Sequence, residues 1–111
     1  MTRPRVYISG PITMGDREHN FQQAADLHRR LLLCGLAPLN PMLSMKLPGA
    51  FEIPHRTWID GDLPWVECAE AVFRLPGASM GADEEVEYAK DLGIPIFTDE
   101  QAMLEYFRGR T

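Results

Sequence analysis

Apolar residues along the chain follow two alternating patterns. Arg5-Val6-Tyr7-Ile8-Ser9 is a β-branched and aromatic run ending at Gly10-Pro11, which predicts a short buried strand entering a loop. Over 20–34, Phe21, Ala24, Leu27, Leu31 and Cys34 recur at helical spacing, and Gly35 stands where a left-handed C-cap belongs. Leu36-Ala37-Pro38-Leu39-Asn40-Pro41 predicts a short second strand, placed at a sheet edge because Pro38 lacks a ladder donor. A helix follows over 58–69, with Trp58, Asp62, Trp65 or Val66, and Ala69 on one stripe. Gly61 and Pro64 interrupt it and predict a kink, or a fresh start with Asp62 as N-cap.

Ala71-Val72-Phe73-Arg74-Leu75 is the third predicted strand, closed by Pro76-Gly77. A helix over 82–92 is stopped by Gly93, and Ile94-Pro95-Ile96-Phe97 makes the fourth strand. Thr98-Asp99-Glu100-Gln101 is a capping box opening a last helix through Met103, Leu104 and Phe107, and 108–111 is expected to fray. Strands alternating with helices imply βαβ units, hence a parallel sheet of four or five strands in a three-layer α/β domain spanning 1–111. The stretch 41–54 is neither a clean strand nor a clean helix, yet it carries Met42, Leu43, Met45, Leu47, Phe51 and Ile53. It is either a lid or subunit contact, or packing across the sheet edge.

Composition narrows the class. At 111 residues the chain suits one core, and an enclosed site would use much of it, so a site shared between subunits is expected. Eleven Lys and Arg against sixteen Asp and Glu give a net charge of −5 with no basic tract, which argues against a nucleic-acid polymer or an anionic membrane as partner. No run approaches a membrane span and no apolar stretch follows the first charges, so a cytoplasmic protein is expected. Cys34 and Cys68 form no CxxC and sit among apolar neighbours, and they are read as core thiols of a reducing compartment. His19, His28 and His55 lie far apart without metal-ligand spacing, so no metal and no cofactor are expected.

Ligands of parallel α/β sheets bind beyond the carboxyl ends of the strands, here Ser9-Gly10-Pro11, Asn40-Pro41 and Pro76-Gly77-Ala78-Ser79-Met80-Gly81. In the third helix the apolar arc of Ala82, Val86, Ala89 and Leu92 includes Glu85, whereas Asp83, Glu84, Glu87, Lys90 and Asp91 fall outside it. An inward carboxylate requires a hydrogen bond or a chemical role. Asp62 shares a face with Trp58 and Val66; it is either the cap of the Pro64 helix or a second inward carboxyl. Two inward carboxyls at one sheet edge suit acid/base or nucleophilic work on a sugar-like bond, with the Tyr7 hydroxyl available to one of them.

These residues, Tyr7-Ile8-Ser9-Gly10-Pro11-Ile12, Asp62-Leu63-Pro64-Trp65-Val66 and Ser79-Met80-Gly81-Ala82-Asp83-Glu84-Glu85 with Ala89 and Gly93, resemble the nucleoside 2-deoxyribosyltransferase-like superfamily. That superfamily includes the 2'-deoxynucleoside 5'-monophosphate N-glycosidases, and the nearest likeness is to a branch of small proteins of uncharacterised activity. The resemblance covers nearly the whole chain and implies a Rossmann-like domain in a homodimer or higher oligomer.

It further implies that Glu85 attacks the anomeric carbon of a (deoxy)ribosyl group, that Tyr7 orients it, and that Asp62 contacts or protonates the departing base. Ser79, where nucleoside-specific members carry Asp, implies a 5'-monophosphate, with Gly81, Ser9, Gly10, Pro11 and Ile12 on the phosphate side. The expected activity is hydrolysis of the N-glycosidic bond of a nucleoside 5'-monophosphate. The alternatives are base exchange between deoxynucleosides and a non-catalytic nucleotide-binding or sensing module. The expected partner is a small nucleotide or nucleoside, with a neighbouring subunit completing the site.

Overall fold

The computed structural model describes residues 2–110. Four parallel strands, β1 (Arg5–Ser9), β2 (Ala37–Leu39), β3 (Ala71–Arg74) and β4 (Ile96–Phe97), lie in the order β2-β1-β3-β4. The helices are α1 (Arg17–Leu33), α2 (His55–Glu67), α3 (Met80–Asp91) and α4 (Glu100–Arg108). Strand side chains alternate across the sheet and build two cores. Val6, Ile8 and Phe73 pack with Leu27 and Leu31 of α1 and Met103 and Phe107 of α4. Tyr7 and Val72 pack on the other face with Val66 of α2 and Ala89 of α3. The result is a three-layer α/β domain. Among the described residues no helix is long and apolar enough to cross a membrane.

Local chemistry explains where the elements begin. Asp16 caps α1 by accepting from the N–H groups of Glu18 and His19, so the helix starts three residues before the apolar period does. Ser79 caps α3 by accepting from the Ala82 N–H at 3.0 Å. Asp99, the second residue of the expected capping box, is the cap of α4. Gly35 ends α1 at φ 89°, as its position implied.

Three expectations change. α2 runs unbroken through Gly61 and Pro64, so Asp62 is a mid-helix residue and not a cap. The proline is tolerated where the helix is exposed: it deprives only the Asp60 carbonyl of an intrahelical donor, and Asp60 faces solvent. The 41–54 stretch forms two 3-10 turns, Pro41–Lys46 and Ala50–Glu52, the first capped by Asn40. Cys34 and Cys68 are both exposed free thiols, because each sits at the C-terminal end of its helix, beyond the last buried turn.

The strand order places the functional end. From β1 the chain crosses outward to β2, then returns past β1 to β3, so the connections leave β1 and β3 in opposite directions. The crevice between those two carboxyl ends is the topological switch point, where open α/β sheets bind ligands.

Candidate active site

Tyr7 and Ser9 are two residues apart on β1, so both project toward α2 and α3. Glu85, one and a half turns into α3, meets them there and is only 5% exposed. The Tyr7 hydroxyl donates to Glu85 Oε2 at 2.7 Å, and the Ser9 hydroxyl donates to Oε1 at 2.8 Å. Asp62 of α2 interacts with both Tyr7 and Glu85, completing a cluster drawn from three elements.

Burial dominates the electrostatics. Loss of water pushes the Glu85 carboxyl up to about 7; the Tyr7 and Ser9 donors oppose this and the Asp62 charge adds to it. Burial also raises Asp62, partly offset by Glu85 and Tyr7. The Tyr7 phenol is raised by burial and by the two carboxylates, so it remains a donor. The two carboxyls therefore titrate as a pair, each holding its proton to higher pH than it would in water. The other acids of α3 are turned away: Asp83 pairs with Arg74 at 3.0 Å and Glu84 with Arg56 at 2.6 Å.

Two glycines let these elements come together. A Cβ on Gly10 would stand 2.9 Å from Cβ of Leu75, so the ends of β1 and β3 meet closely only because the position is bare. A Cβ on Gly81 would stand 2.9 Å from Ile59 Cδ1 and 3.0 Å from His55 Cε1, so Gly81 lets α3 approach α2 and brings Asp62 to Glu85.

Glu85 and Asp62 form part of the wall of a cavity of about 440 Å³ at the switch point. Gly10, Pro11, Ile12, Ser79 and Gly81 line it as well. Tyr7 and Ser9 lie behind Glu85, not on the cavity surface; Ser9 is wholly buried, which takes it out of the phosphate-side loop expected from the sequence. The alternation of Tyr7 and Ser9 along one strand was the signal for this pairing.

The loop after β1 is shaped by Asn20, whose buried amide donates to the carbonyls of Ile12 and Met14. His55 also lines the cavity, a position the spacing of histidines gave no reason to expect. Asn40 lines it too; its Oδ1 accepts from the Met42 N–H, and its buried Nδ2 has no partner among the described residues. The 3-10 turns supply the apolar side through Met42, Met45, Ala50, Phe51 and Ile53, with Trp58 of α2 beside them. Arg17 lies over the Phe51 ring at 4.2 Å and ties this wall to α1.

Residues 4–98 match the family described as a domain of unknown function, DUF4406. The chain belongs to this family. No curated protein matches the DUF4406 chain in sequence. Among solved structures its fold is similar to a 2-deoxyribosyltransferase from the psychrotolerant bacterium Bacillus psychrosaccharolyticus, with TM-score 0.64 and 18% identity over 83% of this chain and 69% of that one. It is also similar to a 2-desoxiribosyltransferase from Leishmania mexicana, with TM-score 0.62 and 16% identity over 84% of this chain and 61% of that one. The DUF4406 chain thus has the 2-deoxyribosyltransferase fold and spans about two-thirds of the length of these neighbours.

Proposed function

We propose that this protein cleaves the N-glycosidic bond of a (deoxy)ribonucleoside 5'-monophosphate, with Glu85 as nucleophile. The observation that carries the reading is the Glu85 carboxyl, buried, bound through both oxygens and set beside Asp62 in the wall of the switch-point cavity. The reactive form is the tautomer of the coupled pair in which the shared proton sits on Asp62 and Glu85 is ionised. Ionised Glu85 attacks the anomeric carbon and forms a glycosyl ester, while Asp62 gives its proton to the departing base. Water then attacks the same carbon, Asp62 takes the water proton, and the carbon–oxygen bond to Glu85 breaks. The products are the free base and the sugar 5-phosphate, and the pair recovers its starting protonation.

Ser79 supports the monophosphate. Its oxygen is engaged by the Ala82 N–H, leaving its proton for a phosphate oxygen at the start of α3. The pairing of Asp83 and Glu84 with arginines removes the local repulsion that would oppose an anion there. A neighbouring copy of the chain would close the cavity; Met14, Phe51, Ile53 and Met80 are exposed apolar side chains on its wall. The free thiols of Cys34 and Cys68 suit the cytoplasm.

A second reading, base exchange between deoxynucleosides, is favoured by the structural neighbours, both of which are 2-deoxyribosyltransferases. The two readings share the glycosyl ester and differ in whether water or a second base resolves it. Chromatography of free base after incubation with a panel of ribo- and deoxyribonucleosides and their 5'-monophosphates tests both. Release from monophosphates in water supports hydrolysis, and exchange requiring an added base supports the transferase. Tight ligand binding with neither activity would leave a sensing module.

A further inference from the structure

Glu85 has a hydroxyl on each oxygen. We propose that Ser9 is a positioning residue: its hydroxyl clamps Glu85 Oε1 while Tyr7 clamps Oε2, and the pair fixes the carboxylate plane and favours its ionised form. The proposal rests on the reading of Glu85 as the nucleophile. Ser9 Oγ lies 2.8 Å from the carboxylate and 3.4 Å from the Ala82 carbonyl, so its one proton goes to the nearer, charged acceptor. Ser9 is wholly buried behind Glu85 and does not line the cavity, so any effect it has on a ligand passes through the carboxylate.

The strand geometry makes the clamp. Residues 7 and 9 project from the same face of β1, one on either side of the Glu85 carboxylate. A carboxylate held by one hydroxyl alone still pivots about that bond; two donors to different oxygens remove the pivot. The other titratable groups facing this cluster are Asp62 and, nearer the start of α2, His55 against Gly81; Asp83 and Glu84 on α3 itself are turned out to Arg74 and Arg56. Burial and the Asp62 charge both resist ionisation of Glu85, and the hydroxyls supply the opposing stabilisation.

The test is a carbon-13 NMR titration of the Glu85 carboxyl in the full chain, assigned with E85Q and repeated in S9A, S9T and Y7F. The pH profile of base release is followed in parallel. Losing a hydrogen bond to a charged group is expected to raise the Glu85 midpoint in S9A by about one to two pH units. Base release on the acid side then slows by about tenfold to a hundredfold and recovers at higher pH. S9T, which keeps the hydroxyl, restores the wild-type midpoint. If S9A does not fold, S9C keeps the volume with a weaker donor, and its midpoint moves the same way by less. An unmoved midpoint and an unmoved profile overturn the clamp while leaving base release by the wild type intact. A shifted midpoint without base release from the wild type or any variant supports the clamp and overturns the glycosidic reading.

Discussion

At the scale of single residues, the helical period already sets Glu85 apart from the other acids of α3, and the structure buries it alone among them. Its raised midpoint has a consequence for stability. The folded carboxyl titrates near 7 against an ordinary value of 4.5, so the folded state holds its proton over a range where the unfolded chain has lost it. Stability contributed by the neutral carboxyl is complete below pH 4.5, declines from there to about 7, and stays low above. E85Q, which cannot ionise, is therefore expected to match the wild type at pH 4 and to exceed it by on the order of 2–3 kcal/mol at pH 8, read by denaturant unfolding at both pH values. Equal pH dependence of the two proteins would contradict the buried carboxyl. Activity is expected to be bell-shaped in pH, because the working pair carries one proton: excess acid protonates both carboxyls and excess base strips both. What the sequence could not convey at this scale was depth. Ser9 closes the strand that the pattern predicts, and the family resemblance set it with Gly10 on the phosphate side, whereas the structure turns its side chain inward onto Glu85.

The elements were legible wherever period and punctuation agreed. β1 ends at Ser9 as its composition requires, and Gly35 and Gly93 end their helices at positive φ. α2 is a helix as its period predicts, but it does not start afresh at Asp62: Gly61 and Pro64 are local signals, while packing of Ile59 and Val66 against the sheet and α3 decides the outcome. That continuity turns Asp62 from a cap into a side chain facing Glu85. The close approaches give a matched pair of tests. Gly10→Ala sets a methyl against Leu75 Cβ, an atom fixed to backbone, and is expected to cost about 1–3 kcal/mol of stability. Gly81→Ala meets only the tips of Ile59 and His55, which can turn aside, so its stability is expected to change by less than about 1 kcal/mol. Because Ile59 and His55 both line the cavity, however, turning them aside disturbs its wall, and base release is expected to fall by about tenfold or more. Unfolding curves and initial rates on the same preparations separate the two effects; a Gly81→Ala enzyme with full activity would show that the placement of Ile59 and His55 in the cavity wall is not critical.

For the whole molecule, a short acidic chain brings Glu85, Asp62 and Ser79 to one switch-point cavity, and lays an apolar wall of 3-10 turns along one side. The exposed Met14, Phe51, Ile53 and Met80 around the cavity lead to an expectation of a dimer or larger assembly in sedimentation analysis, dissociated by charged substitution at Phe51. A monomer at micromolar concentration would instead require one chain to close its own site. The central claim is that Glu85 carries the sugar covalently. Rapid acid quenching with a nucleoside 5'-monophosphate, followed by peptide mass spectrometry, tests it directly. The account predicts a mass increase of one sugar-phosphate residue on the peptide containing Glu85, absent from the E85A variant, which also releases no base. Base release at the wild-type rate by E85A, with no adduct on the wild-type peptide, would contradict it.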